Sequence, residues 1–171
     1  IDDSDQVTVS NAADFSIGDT VLIIQMKGIE INVPNDVNFG SRQDAHSSGK
    51  YEFLIISNIS SNQITFSANM DNTYDSGGAV QLIRVPGFSN NLTINGLLTA
   101  DPWNTASGTG GVVAMIVGNT LTLNADIDVS NMGFNGGLPV NGDGSCGNTD
   151  YFYDGASLKA GFKGERAVSF S

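Results

Sequence analysis

Leu92 and Leu121 occupy equivalent places in two similar stretches of chain 29 residues apart, and this repeat restricts the possible folds more than any other feature. The first stretch runs Asn91-Leu92-Thr93-Ile94-Asn95-Gly96-Leu97-Leu98-Thr99-Ala100, and the second runs Thr120-Leu121-Thr122-Leu123-Asn124-Ala125-Asp126-Ile127-Asp128-Val129. Each follows a glycine-led apolar run, Gly77 to Ile83 and Gly110 to Ile116, which reads as a second echo. A period of this size marks stacked supersecondary units, and units built only of short strands suggest the coils of a parallel β-helix. One coil alone cannot bury its Leu, Ile and Val side chains, whereas stacked coils share an apolar column and a hydrogen-bond ladder. Alternation in Thr120 to Asn124 then places threonine and asparagine outside and leucine inside. Gly96, Gly118 and Gly133 are expected at sharp corners. Two similar hairpins in an antiparallel sandwich would give the same repeat, and that is the rival architecture.

Before the repeat, strand-sized β-branched runs cover Val7 to Val9, Thr20 to Met26, Tyr51 to Ile59, Gln63 to Ser67 and Ala79 to Val85. Turn chemistry separates them, and Ser60-Ser61-Asn62 between two apolar runs predicts a hairpin. The connection from Gly28 to Lys50 is too long for a passive link, so it is expected to be an ordered excursion or a mobile one. Charged residues make up only 15% of the chain and glycine contributes 21 positions, a balance that favours turns over long helices. The expected fold is therefore all-β. Residues 1–85 form a small β-barrel-like subdomain that caps a solenoid, and residues 86–171 begin a parallel β-helix cut from a longer polypeptide.

The formal net charge of −11 would repel a phosphate backbone or an anionic membrane surface, so nucleic acid is excluded as a partner. No apolar run is long enough to span a bilayer. The single cysteine, Cys146, lies in a Gly/Asn-rich loop, where an exposed thiol is a liability. It is a disulfide candidate whose partner would lie beyond Ser171, with a free thiol as the alternative.

Catalytic chemistry finds few participants. The one histidine, His46, sits in Asp44-Ala45-His46-Ser47-Ser48, and neighbours on a single loop do not converge as nucleophile, base and orienter. Asp126 and Asp128 share a strand face about 7 Å apart, a spacing that suits an inverting glycosidase but equally describes the wet side of any strand. Asn141, Asp143 and Ser145 place oxygen ligands at alternate positions, as a calcium loop does, yet Cys146 and Phe152 stand where that loop needs glycine and glutamate. No cofactor is expected, and calcium at that loop is the rival reading. Trp103, Tyr151, Phe152 and Tyr153 are the aromatic candidates for stacking on a sugar ring, or else core and loop anchors.

Several phrases carry a family resemblance: Asp14 to Gly28, Gly49 to Phe53, Val80 to Pro86, Pro102-Trp103-Asn104, Gly110 to Ala114 and Gly133 to Gly137. In this order they resemble the N-terminal regions of giant cell-surface adhesins of gliding Bacteroidetes, exported by the type IX secretion system. The closing phrase Lys163-Gly164-Glu165-Arg166 departs from that family's Lys-Gly-Glu-Gly at its last residue. The resemblance implies an extracellular, outer-membrane-associated, non-enzymatic module for attachment or gliding motility. Its implied partners are the rest of a longer chain, secretion or gliding proteins of the outer membrane, and polysaccharide. Phe15, Gly18, Asp19, Val21 and Ile23 also match a phrase found in caps of pectate-lyase-like β-helix proteins. That match keeps a polysaccharide-degrading or carbohydrate-binding protein as the alternative.

Overall fold

In the computed structural model, which describes residues 5–137 and 164–168, the β-branched runs of the first half become strands of one antiparallel sheet. In chain order the strands are β1 Gln6–Thr8, β2 Thr20–Gln25, β3 Glu30–Ile31, β4 Arg42–Asp44, β5 Tyr51–Ser60, β6 Gln63–Phe66 and β7 Val80–Arg84. They continue with β8 Gly87–Phe88, β9 Leu92–Ile94, β10 Ile116–Val117 and β11 Leu121–Leu123. Five strands associate in the order β1-β6-β5-β2-β7. Period-two alternation sends Val21 and Ile23 of β2, Leu54 and Ile56 of β5, and Ile64 and Phe66 of β6 to one face, where they are buried together with Ala12 and Tyr74. Each fully buried isoleucine in that cluster contributes roughly 1.5–3 kcal/mol. Ser61 turns the β5–β6 hairpin at φ +53°, and a bulge at Ser57 bends β5 around the core.

The sheet curves without closing. Among the described residues β1 pairs only with β6 and β7 only with β2, so the expected barrel-like subdomain is an open sheet with two edges. The long connection after β2 is an ordered excursion, held by the β3–β4 pair and returned to the sheet by Gly49, whose N–H donates to Gln25 O at 2.8 Å.

In the second half the pairing changes to parallel. Gly87 and Phe88 pair with Ile116 and Val117, Leu92 to Ile94 pair with Leu121 to Leu123, and Leu98 bridges Ile127. All three contacts have the 29-residue offset of the repeat. Side chains keep the same step: Asn91 Oδ1 accepts from Thr120 N at 3.2 Å and Asn95 Oδ1 accepts from Asn124 Nδ2 at 2.8 Å. These are two layers of parallel pairing, which is less than a solenoid.

Two expectations require correction. The glycine-led echo of Gly77 in Gly110 is out of phase, because Gly110 is bound by Gln81, again 29 residues away. Similar composition suggested the match, but the backbone ladder sets the register. The leucines of β11 were expected inside, yet Leu121 and Leu123 are exposed, as are Ile116, Ile127 and Val129. Among the described residues no strand pairs with the far side of β10 or β11. Of the three expected corner glycines, only Gly118 is held by a close approach, since a Cβ there would lie 2.5 Å from Ser89 O. The described residues include one 3-10 turn, Ser76–Gly78, and no helix long and apolar enough to cross a membrane.

Candidate functional site: a fastened junction and an aromatic face

Residues 164–168 return to the first sheet and carry Glu165 into the junction between the two halves. Ala167 O accepts from the N–H groups of Gly28 and Ile29, and Glu165 N donates to Asn135 O at 2.7 Å. The Glu165 carboxylate accepts from Lys27 Nζ at 2.5 Å and from Thr105 Oγ1 at 2.6 Å. Asn135 completes the ring, its Nδ2 donating to Thr105 Oγ1 at 2.8 Å. Lys27 Nζ also lies 5.5 Å from the ring centres of both Trp103 and Phe134, which meet edge to face at 4.7 Å.

Burial alone would raise the pKa of Glu165, but the hydrogen bonds from Lys27 and Thr105 outweigh it and hold the carboxyl at about 2. The indole N–H of Trp103 leans toward the same carboxylate without making a well-formed hydrogen bond. With both oxygens engaged and its pKa lowered, this carboxyl is held in its ionised form near neutral pH. The cluster fastens residues 164–168 to the segments that carry Lys27 and Thr105.

Two buried glutamines fasten the same region. Gln25 Nε2 donates to Lys27 O at 2.7 Å, and its Oε1 accepts from Asp75 N at 2.7 Å. Gly28 and Gly78 leave room for it, because a Cβ at either would meet Gln25 Nε2. Gln81 binds Gly110 in the same two-point manner across the junction. On the sheet itself, Glu52 accepts from Asp71 N, Asn72 N and Tyr74 Oη. Burial opposes ionisation of Glu52, yet these bonds lower its pKa. The Tyr74 phenol is pushed up, first by burial and then by its bond to Glu52.

One outward-facing surface is apolar. Tyr51 and Phe53 take outward positions on β5, are 59% and 51% exposed, and stand edge to face with ring centres 6.4 Å apart. Ile55 extends the strip. The sequence did not single these residues out, because Phe53 to Ile56 is apolar on both alternations and leaves the inner face of that stretch open.

The remaining candidates are dispersed. Trp103, a candidate for sugar stacking, is 6% exposed and serves as an anchor. His46 lies on the surface, 3.5 Å from Glu30 and 3.9 Å from Asp44, and no described nucleophile is bonded to it. Asp126 and Asp128 are exposed, and the Ser130 hydroxyl and amide lower the pKa of Asp128, the reverse of what a general acid needs. Asn141, Asp143, Ser145 and Cys146, together with Tyr151, Phe152 and Tyr153, lie outside the described residues. Among the described residues no three His, Cys, Asp or Glu side chains gather as a metal site. Comparison with known proteins finds no matching family model, no matching curated protein and no matching solved structure.

Proposed function

We propose that this chain is a structural module of a secreted cell-surface adhesin, in which the open β sheet caps the first coils of a parallel β-helix. The observation that carries this reading is the constant 29-residue offset of three separate parallel contacts, Gly87 with Ile116, Leu92 with Leu121 and Leu98 with Ile127. A constant offset is how successive solenoid coils stack, each contacting only its neighbours. The junction supports a structural role, since Lys27, Glu165, Gln25 and Gln81 spend their polar atoms on other parts of the same chain. The partners of such a module are the rest of a longer chain and the outer-membrane secretion or gliding machinery, and its place is the cell surface.

Deleting residues 1–171 from the intact polypeptide in its own cells tests the reading. Loss of surface display or of attachment to glass is expected, and normal display with normal attachment would overturn it. Turnover of acidic polysaccharides by the purified intact polypeptide would overturn the non-enzymatic assignment.

A carbohydrate-binding module is the second reading, favoured by the exposed Tyr51–Phe53 pair. Flat aromatic faces open to solvent are suited to stacking on sugar rings. Glycan-array binding that disappears in the Tyr51→Ala and Phe53→Ala variants would establish it, and an empty array would remove it.

A further inference from the structure

The open seam of the first sheet has the geometry of a missing strand. Four successive antiparallel pairings connect β1, β6, β5, β2 and β7, so β1 and β7 run in the same direction. They do not pair with each other, and both line one groove of about 660 Å³. One strand antiparallel to both would complete an alternating six-stranded barrel.

Hydrogen-bond parity leaves the necessary backbone groups at that seam. Asp5 O accepts from Phe66 N and Val9 N donates to Asn62 O, so the odd positions of β1 face β6. The even positions Gln6 and Thr8 turn their N–H and C=O groups toward the groove. In β7, Ala79 O accepts from Met26 N and Val85 N donates to Thr20 O, which assigns the odd positions to β2. Val80, Leu82 and Arg84 therefore present their backbone groups at the other side of the seam. The floor and walls include Val7, Val9, Phe15, Ile23, Val80 and Leu82, while no described charged side chain lines the groove in a chain with 18 acidic and seven basic residues.

We infer that this groove accepts an extended, uncharged peptide strand from a separate polypeptide, bound antiparallel to β1 and β7 by β-augmentation on both sides. Its alternate apolar side chains lie on Val7, Val80 and Leu82, and its backbone bonds to Gln6 and Thr8 on one edge and to Val80, Leu82 and Arg84 on the other. A small apolar ligand could fill the same volume, but it would leave two rows of strand-edge donors and acceptors unused. β7 is five residues long and, among the described residues, no strand pairs with its outer edge, which suits a strand of about five or six residues at about 3.3 Å per residue.

The probe is a capped hexapeptide of alternating valine and threonine, titrated into the whole chain and followed by amide hydrogen exchange. New protection at Gln6, Thr8, Val80, Leu82 and Arg84 is expected, while the already bonded odd positions change little. The same peptide N-methylated at alternate residues should bind at least about tenfold more weakly, a control that leaves the protein's own folding untouched. Thr8→Pro removes a donor that faces only the groove, and it should weaken binding by a similar factor while the β1–β6 pairing persists. Absence of protection at millimolar peptide, or equal binding of the N-methylated peptide, would overturn the inference. So would protection of these amides in the protein alone, whether as a monomer with the seam already filled or as a dimer seating a second copy.

Discussion

Gln81 binds Gly110 through both ends of its side-chain amide: Oε1 accepts from Gly110 N at 2.8 Å and Nε2 donates to Gly110 O at 3.2 Å. The side chain thus does for Gly110 what a neighbouring strand would do, and it joins the antiparallel sheet to the parallel layers. Gly110 has φ +108°, and a Cβ there would collide with Pro102 O. Gln81→Leu keeps most of the volume but removes the partner of both backbone groups of Gly110, which are partly buried. It should lower stability by roughly 1–3 kcal/mol, measured by urea unfolding. A change within experimental error would mean that this bond does not join the two halves.

Acid should weaken the junction through Glu165. Its folded pKa is about 2, below its ordinary value of 4.5. The contribution is therefore complete above about pH 4.5 and is lost as pH falls toward 2. Thermal unfolding of the Glu165→Gln variant should show a lower Tm at pH 7 and a shallower decline between pH 5 and 2. Lys27→Met leaves the carboxylate, which is only 10% exposed, without its cation, so the Glu165 carboxyl should titrate at higher pH when followed by NMR.

Two alanine substitutions separate close stacking from mere loop geometry. At Gly118 a Cβ would lie 2.5 Å from the backbone oxygen of Ser89 in the adjoining layer, so Gly118→Ala should cost about 1–3 kcal/mol. At Gly96 a Cβ meets nothing within 4 Å and φ is not left-handed, so Gly96→Ala should stay within about 0.5 kcal/mol of the parent. Equal effects in chemical denaturation would contradict the parallel stacking of these layers.

Tyr74→Phe removes one donor from Glu52 while the Asp71 and Asn72 amides still serve it. A loss of roughly 0.5–1.5 kcal/mol is expected, with the Glu52 pKa rising toward its ordinary value. A Glu52 pKa unmoved by the substitution would assign the depression entirely to the backbone amides.

The strands of the first half were legible from local pattern alone. Runs such as Thr20 to Met26 and Tyr51 to Ile59 are rich in β-branched residues, strand-sized and bounded by turn residues, and they became β2 and β5 within a residue at each end. The 29-residue step was legible too, because side chains that stack must recur at the spacing of the layers. Glycine spacing misled where composition stood in for hydrogen bonding, pairing Gly77 with Gly110 when the ladder places Gln81 there.

The junction could not be read in advance. Lys27 and Glu165 are 138 residues apart, and nothing local distinguishes this lysine or glutamate from those left on the surface. Their meeting depends on the return of residues 164–168 to Gly28 and Ile29, a long-range backbone contact with no periodic trace. Whether the sheet closes is likewise a tertiary question. Alternation determines which side chains face the core, whereas closure depends on strand number and curvature, and five strands with this parity leave β1 and β7 parallel across an open seam.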